Sequence, residues 1–178
     1  MIAPVVSKAL IRFARKRLSI WSHDRSDREV QQLEFTNRDG VPDLRPSVFE
    51  IEFKDLIQAY AEYATLRNPP ETSFGLNVAG VSRDLDRSPG KTGFRFTTDA
   101  HREVALRDER DLLAFIREIR RDFAERKHDV NKKQIVEYAR GRLAHSDAEW
   151  LAAVERAQTS RPDSWVAKLS RPSPASGK

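Results

Sequence analysis

Ser47-Val48-Phe49-Glu50-Ile51-Glu52-Phe53 alternates, with Phe49, Ile51 and Phe53 on one side and Val48, Glu50 and Glu52 on the other. A period of two is the signature of a strand. Residues 55–67 then change period: Leu56, Tyr60, Tyr63 and Ala64 fall on one helical stripe. Pro46 marks where the strand can begin, and Asn68-Pro69-Pro70 stops the helix, since proline brings no N–H and restricts the residue before it. This strand-then-helix unit sets the terms for both flanks.

Toward the N-terminus, Leu33 and Phe35 alternate with Gln32 and Glu34, so residues 30–36 read as a second strand, followed by a turn at Asn37-Arg38-Asp39-Gly40. Further back, Val6, Leu10, Phe13 and Arg17 recur at spacings of three and four, and Ile20 and Trp21 continue the stripe. With Pro4 near its start, the stretch 1–22 reads as a basic amphipathic helix, its other surface carrying Lys8, Arg12, Arg15 and Lys16.

Toward the C-terminus, Phe74, Leu76 and Val78 alternate with Gly75, Asn77 and Ala79, a short strand. A charged, glycine- and proline-punctuated loop covers 82–93, and Phe94-Arg95-Phe96 and Val104-Ala105-Leu106 read as two more strands. From Asp108 onward, Leu112, Phe115, Ile116, Ile119 and Phe123 share a helix face opposite Arg117, Arg120, Arg121 and Glu125. Two further helices open on capping boxes, Asn131 with Gln134 and Ser146 with Glu149. Beyond Ala157 the chain turns to Ser, Pro and Arg, with Trp165 as one apolar anchor.

This order predicts an α+β fold. A mostly antiparallel sheet of about five strands is packed by an N-terminal helix, a middle helix and three C-terminal helices. Too few helices separate the strands for a doubly wound parallel sheet. Residues 1–157 form a single domain and 158–178 a flexible basic tail, as 178 residues hold one ordinary core.

The chain has no cysteine, which removes disulfides, thiolate metal sites and cysteine nucleophiles. Its first residues lack the charged start and apolar run of a secretory signal, and no apolar stretch nears the ~18 residues of a membrane span, so a cytoplasmic protein is expected. The net charge is +5, unevenly placed. Residues 1–23 hold Lys8, Arg12, Arg15, Lys16 and Arg17 and no acid; residues 159–178 hold Arg161, Lys168, Arg171 and Lys178 against Asp163. The intervening body is therefore acidic, and contacts to polyanions belong at the two ends.

Pro42-Asp43 followed by Glu52-x-Lys54 resembles the PD-(D/E)xK nuclease signature over about thirteen residues. The resemblance implies that Asp43 and Glu52 hold a magnesium ion and that Lys54 helps activate the attacking water. On alternation alone, Glu50, Glu52 and Lys54 are the wet face of a strand. Gly90-Lys91-Thr92 imitates the end of a phosphate-binding loop, but Leu85 stands where such a loop needs glycine. His23, His101, His128 and His145 are scattered, with no metal-ligand spacing. The paired helices 132–143 and 147–156 have helix-turn-helix connectivity, yet the second opens on Asp147 and Glu149, which phosphates repel.

The expected function is a non-catalytic binding or accessory subunit. It meets a protein partner or nucleic acid through its basic ends, with Lys8, Arg12, Arg15, Lys16 and Arg17 as contacts, and needs no cofactor. The alternatives are the magnesium-dependent nuclease and a DNA-binding regulator using the C-terminal hairpin.

Overall fold

The computed structural model describes residues 8–14, 18–21, 24–69, 72–79, 84–88 and 92–169. The fold is α+β, built on an antiparallel sheet. In chain order its elements are β1 (Ala9–Phe13), α1 (Asp27–Glu34), β2 (Ser47–Ile51), α2 (Leu56–Ala64), β3 (Thr72–Asn77), β4 (Asp84–Arg87), α3 (Arg95–Ala100), β5 (His101–Ala105), α4 (Glu109–Arg121), α5 (Phe123–Arg126), β6 (Lys127–Asn131), α6 (Lys132–Ala144) and α7 (Ala148–Ser160). The strands lie in the order β4-β5-β2-β1-β3-β6, every neighbouring pair antiparallel.

The described part of residues 1–22 is not the expected amphipathic α-helix. Ala9–Phe13 is a strand between β2 and β3, with Ile11 opposite Phe49 on one side and Asn77 on the other, and Leu18–Trp21 is a single 3-10 turn. The helical spacing misleads because an interior strand is apolar on both faces. Ala9, Ile11 and Phe13 enter one core, while Leu10 and Ala14 pack with the other, and Arg12 on that second side interrupts the alternation. Nor are Phe13 and Trp21 of the apolar stripe available to a lipid surface: Phe13 is 3 % exposed, and Trp21 is buried with its ring stacked 5.7 Å from Phe123.

Both faces of the sheet are covered. One core gathers Ile11, Phe13, Phe49 and Ile51 with side chains from α2, α3, α6 and α7; the other sets Val48, Phe74 and Leu76 against α1 and α4. Close approach of β1 to β3 depends on Gly75, where a Cβ would sit 2.9 Å from Ile11 Cγ2. Among the described residues no helix is long and apolar enough to cross a membrane.

Three more expectations change. Residues 30–36 were to be a strand, but Asp27–Glu34 is a helix, opened by a capping box in which the Glu29 N–H donates to Ser26 Oγ at 3.2 Å and the Ser26 N–H to Glu29 Oε2 at 2.6 Å. Phe94-Arg95-Phe96 leads into α3, whose first-turn donors are satisfied from a distance: Arg95 N–H by Glu149 Oε2 at 2.7 Å and Thr97 N–H by Glu62 Oε1 at 3.3 Å. The described part of the tail is structured. Helix α7 runs to Ser160, and Trp165, Val166 and Leu169 are buried in the first core; residues 170–178 lie outside the described residues.

The two edge strands escaped the pattern. β4 (Asp-Leu-Asp-Arg) and β6 (Lys-His-Asp-Val-Asn) are short and charged, a composition that discourages further strand pairing.

Candidate functional site

Asp43 and Glu52 flank opposite ends of β2. At ~3.3 Å per residue the five-residue strand between them spans roughly 16 Å. Two ligands of one magnesium ion, each ~2.0–2.6 Å from the metal, must lie within about 5 Å of one another. The structure therefore does not bring Asp43 and Glu52 into one site. Asp43 shapes the entry to β2: its N–H donates to Phe35 O at 2.6 Å and its Oδ1 accepts from Arg45 N–H at 3.0 Å. Lys54 pairs with Glu52 at 2.9 Å, and this bond holds the exposed ammonium above its usual pKa of 10.5, the reverse of what a lysine base requires.

The cationic contacts separate into three groups. Lys8 is exposed at the start of β1 and pairs with Glu50 at 3.3 Å. Arg12 is 3 % exposed and is no surface contact: its guanidinium donates to Glu34 O at 2.9 Å and to Ser47 O at 3.3 Å, and lies 4.3 Å from the centroid of the Phe35 ring. Arg15, Lys16 and Arg17 lie outside the described residues.

Arg12 exemplifies a wider habit of this molecule. Arg67 donates to Ala14 O, Arg102 to Asp99 O and His101 O, Arg120 to Arg25 O, Arg126 to Asn77 O and Ala79 O, and Arg161 to Thr65 O. A guanidinium offers five donors in a rigid fork, so one side chain can satisfy several orphan carbonyls where elements end. Six arginines are engaged in this internal work, of 32 lysines and arginines in the chain.

The C-terminal helices α6 and α7 form a hairpin that closes the first core through Ile135, Ala139, Trp150, Ala153 and Ala157. Asn131 and Gln134 make the expected capping box of α6. The second cap falls elsewhere. Asp147, not Ser146, caps α7, accepting from Glu149 N–H at 3.0 Å and Trp150 N–H at 3.3 Å, while Glu149 reaches across to α3. The leading end of α7 is thereby tied to its own fold, and Arg140 remains exposed on α6. His101 Nδ1 lies 2.6 Å from Ser88 O, His145 Nδ1 2.7 Å from Gly141 O, and the His128 ring packs on Phe53; His23 lies outside the described residues.

Sequence reasoning passed over Glu62, which is buried on α2 although it lies off the Leu56, Tyr60, Tyr63 and Ala64 stripe. It is 2 % exposed and accepts from Gln58 Nε2 at 3.0 Å, Thr97 Oγ1 at 3.1 Å and Thr97 N–H at 3.3 Å. Burial pushes its carboxyl above the ordinary value of 4.5; the bonds from Gln58 and Thr97 pull it down, and the Glu149 charge adds to the rise. Tyr138 on α6 is likewise pushed up to about 12, by burial first and by the Glu62 charge second. A lone Glu inside a helical period carries no signal of its burial. Only the run of small buried residues around it, Ala59, Ala61 and Ala64, hints that this helix is enclosed on more than one face.

An open cleft of about 700 Å³ lies between the β4–β5 edge and the start of α4, lined by Asp84, Arg107, Asp108, Arg110 and Asp111 among others. Its charges alternate in sign. Asp108 is occupied in capping Asp111 N–H at 2.8 Å, and Asp111 accepts from Arg107 N–H at 3.1 Å. Among the described residues no three His, Asp or Glu side chains converge as metal ligands. Comparison with protein-family models, curated proteins and solved structures returns no match to this chain.

Proposed function

We propose that this chain is a non-catalytic binding or accessory protein that meets an acidic partner or nucleic acid through Arg15-Lys16-Arg17, with Lys8 preceding it and Arg12 removed from the contact set. The supporting observation is how the cationic sequence is flanked. Ala14, immediately before it, is buried and donates its N–H to Phe74 O at 3.1 Å; Trp21, shortly after it, is buried against Phe35 and Phe123. Both flanks belong to the second core. Basic residues anchored on either side lose less freedom on binding than the same residues in a free tail, so more of the Coulomb gain survives as affinity.

Because β1 lies between β2 and β3, deleting residues up to Ser22 removes a central strand and tests folding rather than binding. Substitution keeps the sheet. The full chain and an Arg15→Gln/Lys16→Gln/Arg17→Gln variant are titrated with labelled DNA, RNA and polyglutamate across a salt series. The variant should bind several-fold more weakly, and on a nucleic-acid probe with a salt slope reduced by about 2–3. Equal affinity and slope for the two chains on every probe would sink the reading.

A further inference from the structure

The buried Glu62 carboxylate opens a chain of hydroxyls. Thr97 Oγ1 lies 3.1 Å from Glu62 Oε1 and 2.5 Å from Thr92 Oγ1, which accepts from Phe94 N–H at 3.2 Å and lies 3.4 Å from Phe94 O. Thr92 and Thr97 are themselves buried, so water does not compete for these bonds. We propose that Glu62, Thr97 and Thr92 form a proton-sensitive latch that fixes α3 and its entry turn to α2.

The direction of the chain follows from which groups carry hydrogen. With Glu62 ionised, Thr97 donates to the carboxylate and Thr92 donates to Thr97. With a proton on Oε1, Glu62 donates to Thr97, Thr97 to Thr92, and Thr92 turns its hydrogen to Phe94 O. Every group stays satisfied in both states, so the latch survives the proton change; what differs is the cost of a charge in a buried place. The bonds from Gln58 and Thr97 offset that cost only in part. From α7 comes Glu149, a like charge; from α6 come Tyr138 and Arg142, the latter donating through Nε and Nη2 to Asp147 Oδ2; Asp55 precedes α2. On α3 itself Arg95 and Asp99 are exposed and 3.9 Å apart.

The folded state raises the carboxyl above its ordinary value of 4.5, with burial as the first cause. The stabilisation is therefore complete below about pH 4.5 and is lost as pH rises through the higher folded value. On the alkaline side the same bonds hold a buried charge, so opening α3 and exposing that charge to water costs less.

The test measures urea midpoints and amide exchange in α3, corrected for intrinsic rates, from about pH 5 to about pH 8. Three proteins are compared: the full-length parent, Glu62→Gln and Thr97→Val. Parent stability and α3 protection should fall together as pH rises, and Glu62→Gln should flatten both. Thr97→Val removes a donor that lowers the Glu62 carboxyl, so its decline should move to higher pH. An unchanged slope in Glu62→Gln overturns the proposal, as does a parent whose α3 protection ignores pH. If Glu62→Gln does not fold, the shift in Thr97→Val decides: no shift overturns it.

Discussion

The Arg12 guanidinium on β1 donates to the main-chain oxygen of Glu34, the last residue of α1, at 2.9 Å. One bond thus ties a strand interior to a helix C-terminus twenty-two positions away. The carbonyls at that end have no partner within the helix, and a cation there also complements the helix dipole.

Replacing Arg12 with Ala removes two charge-assisted bonds and the guanidinium's contact with the Phe35 ring. The expected cost is about 3 kcal/mol in denaturant unfolding. Arg12→Lys should recover only part of it, because a single ammonium cannot reach Glu34 O and Ser47 O as the fork does. At temperatures where the variants stay folded, affinity for polyanions should match the parent. A drop in affinity without a drop in stability would return Arg12 to the binding surface.

How legible this was depends on what each segment faces. Residues 47–53 showed alternation because β2 carries the half-exposed Glu50 among buried neighbours, and α4 showed its stripe because arginines line its outer face. β1 is buried on both sides, so its period vanished and its one charged interior residue looked like a surface cation. The edge strands β4 and β6 failed in the opposite way: their charge, useful against aggregation, looks like loop. Long-range partners were beyond reach altogether. Nothing local marks Glu149 as the acceptor for Arg95 N–H, fifty-four positions distant.

Trp165 sits in the stretch that composition marked as tail. Its Nε1–H donates to Ala64 O at 2.8 Å and lies 3.1 Å from Arg67 O, while Arg161 donates to Thr65 O. The C-terminal segment thus caps the end of α2. Trp165→Ala should cost ~3–5 kcal/mol, and Trp165→Phe, which keeps a ring but loses the N–H, ~1–2 kcal/mol. Chemical denaturation of both variants checks the ranking. Near-zero effects would mean that α2 is closed without this segment.

Adjacent residues at the α6–α7 junction should respond in opposite directions. Asp147 accepts from two amides of α7 and from Arg142 Nε at 2.8 Å and Nη2 at 2.5 Å, so Asp147→Ala should cost about 1–2 kcal/mol. Ser146, the residue that sequence spacing nominated as the cap, instead holds φ at 55°, the left-handed region where a Cβ is unfavourable. Ser146→Gly should therefore be neutral or stabilising, by up to about 1 kcal/mol. Acid adds a second readout. Burial pushes the Asp147 carboxyl up, but the Arg142 bond and the two amides outweigh it and hold the group below 3.8. Its contribution is present above about pH 3.8 and lost as pH falls through the lower folded value, so Asp147→Ala should shrink the gap to the parent as the medium is acidified. Thermal melts at neutral and acid pH supply both measurements. A larger loss from Ser146→Gly than from Asp147→Ala would place the cap at Ser146 after all.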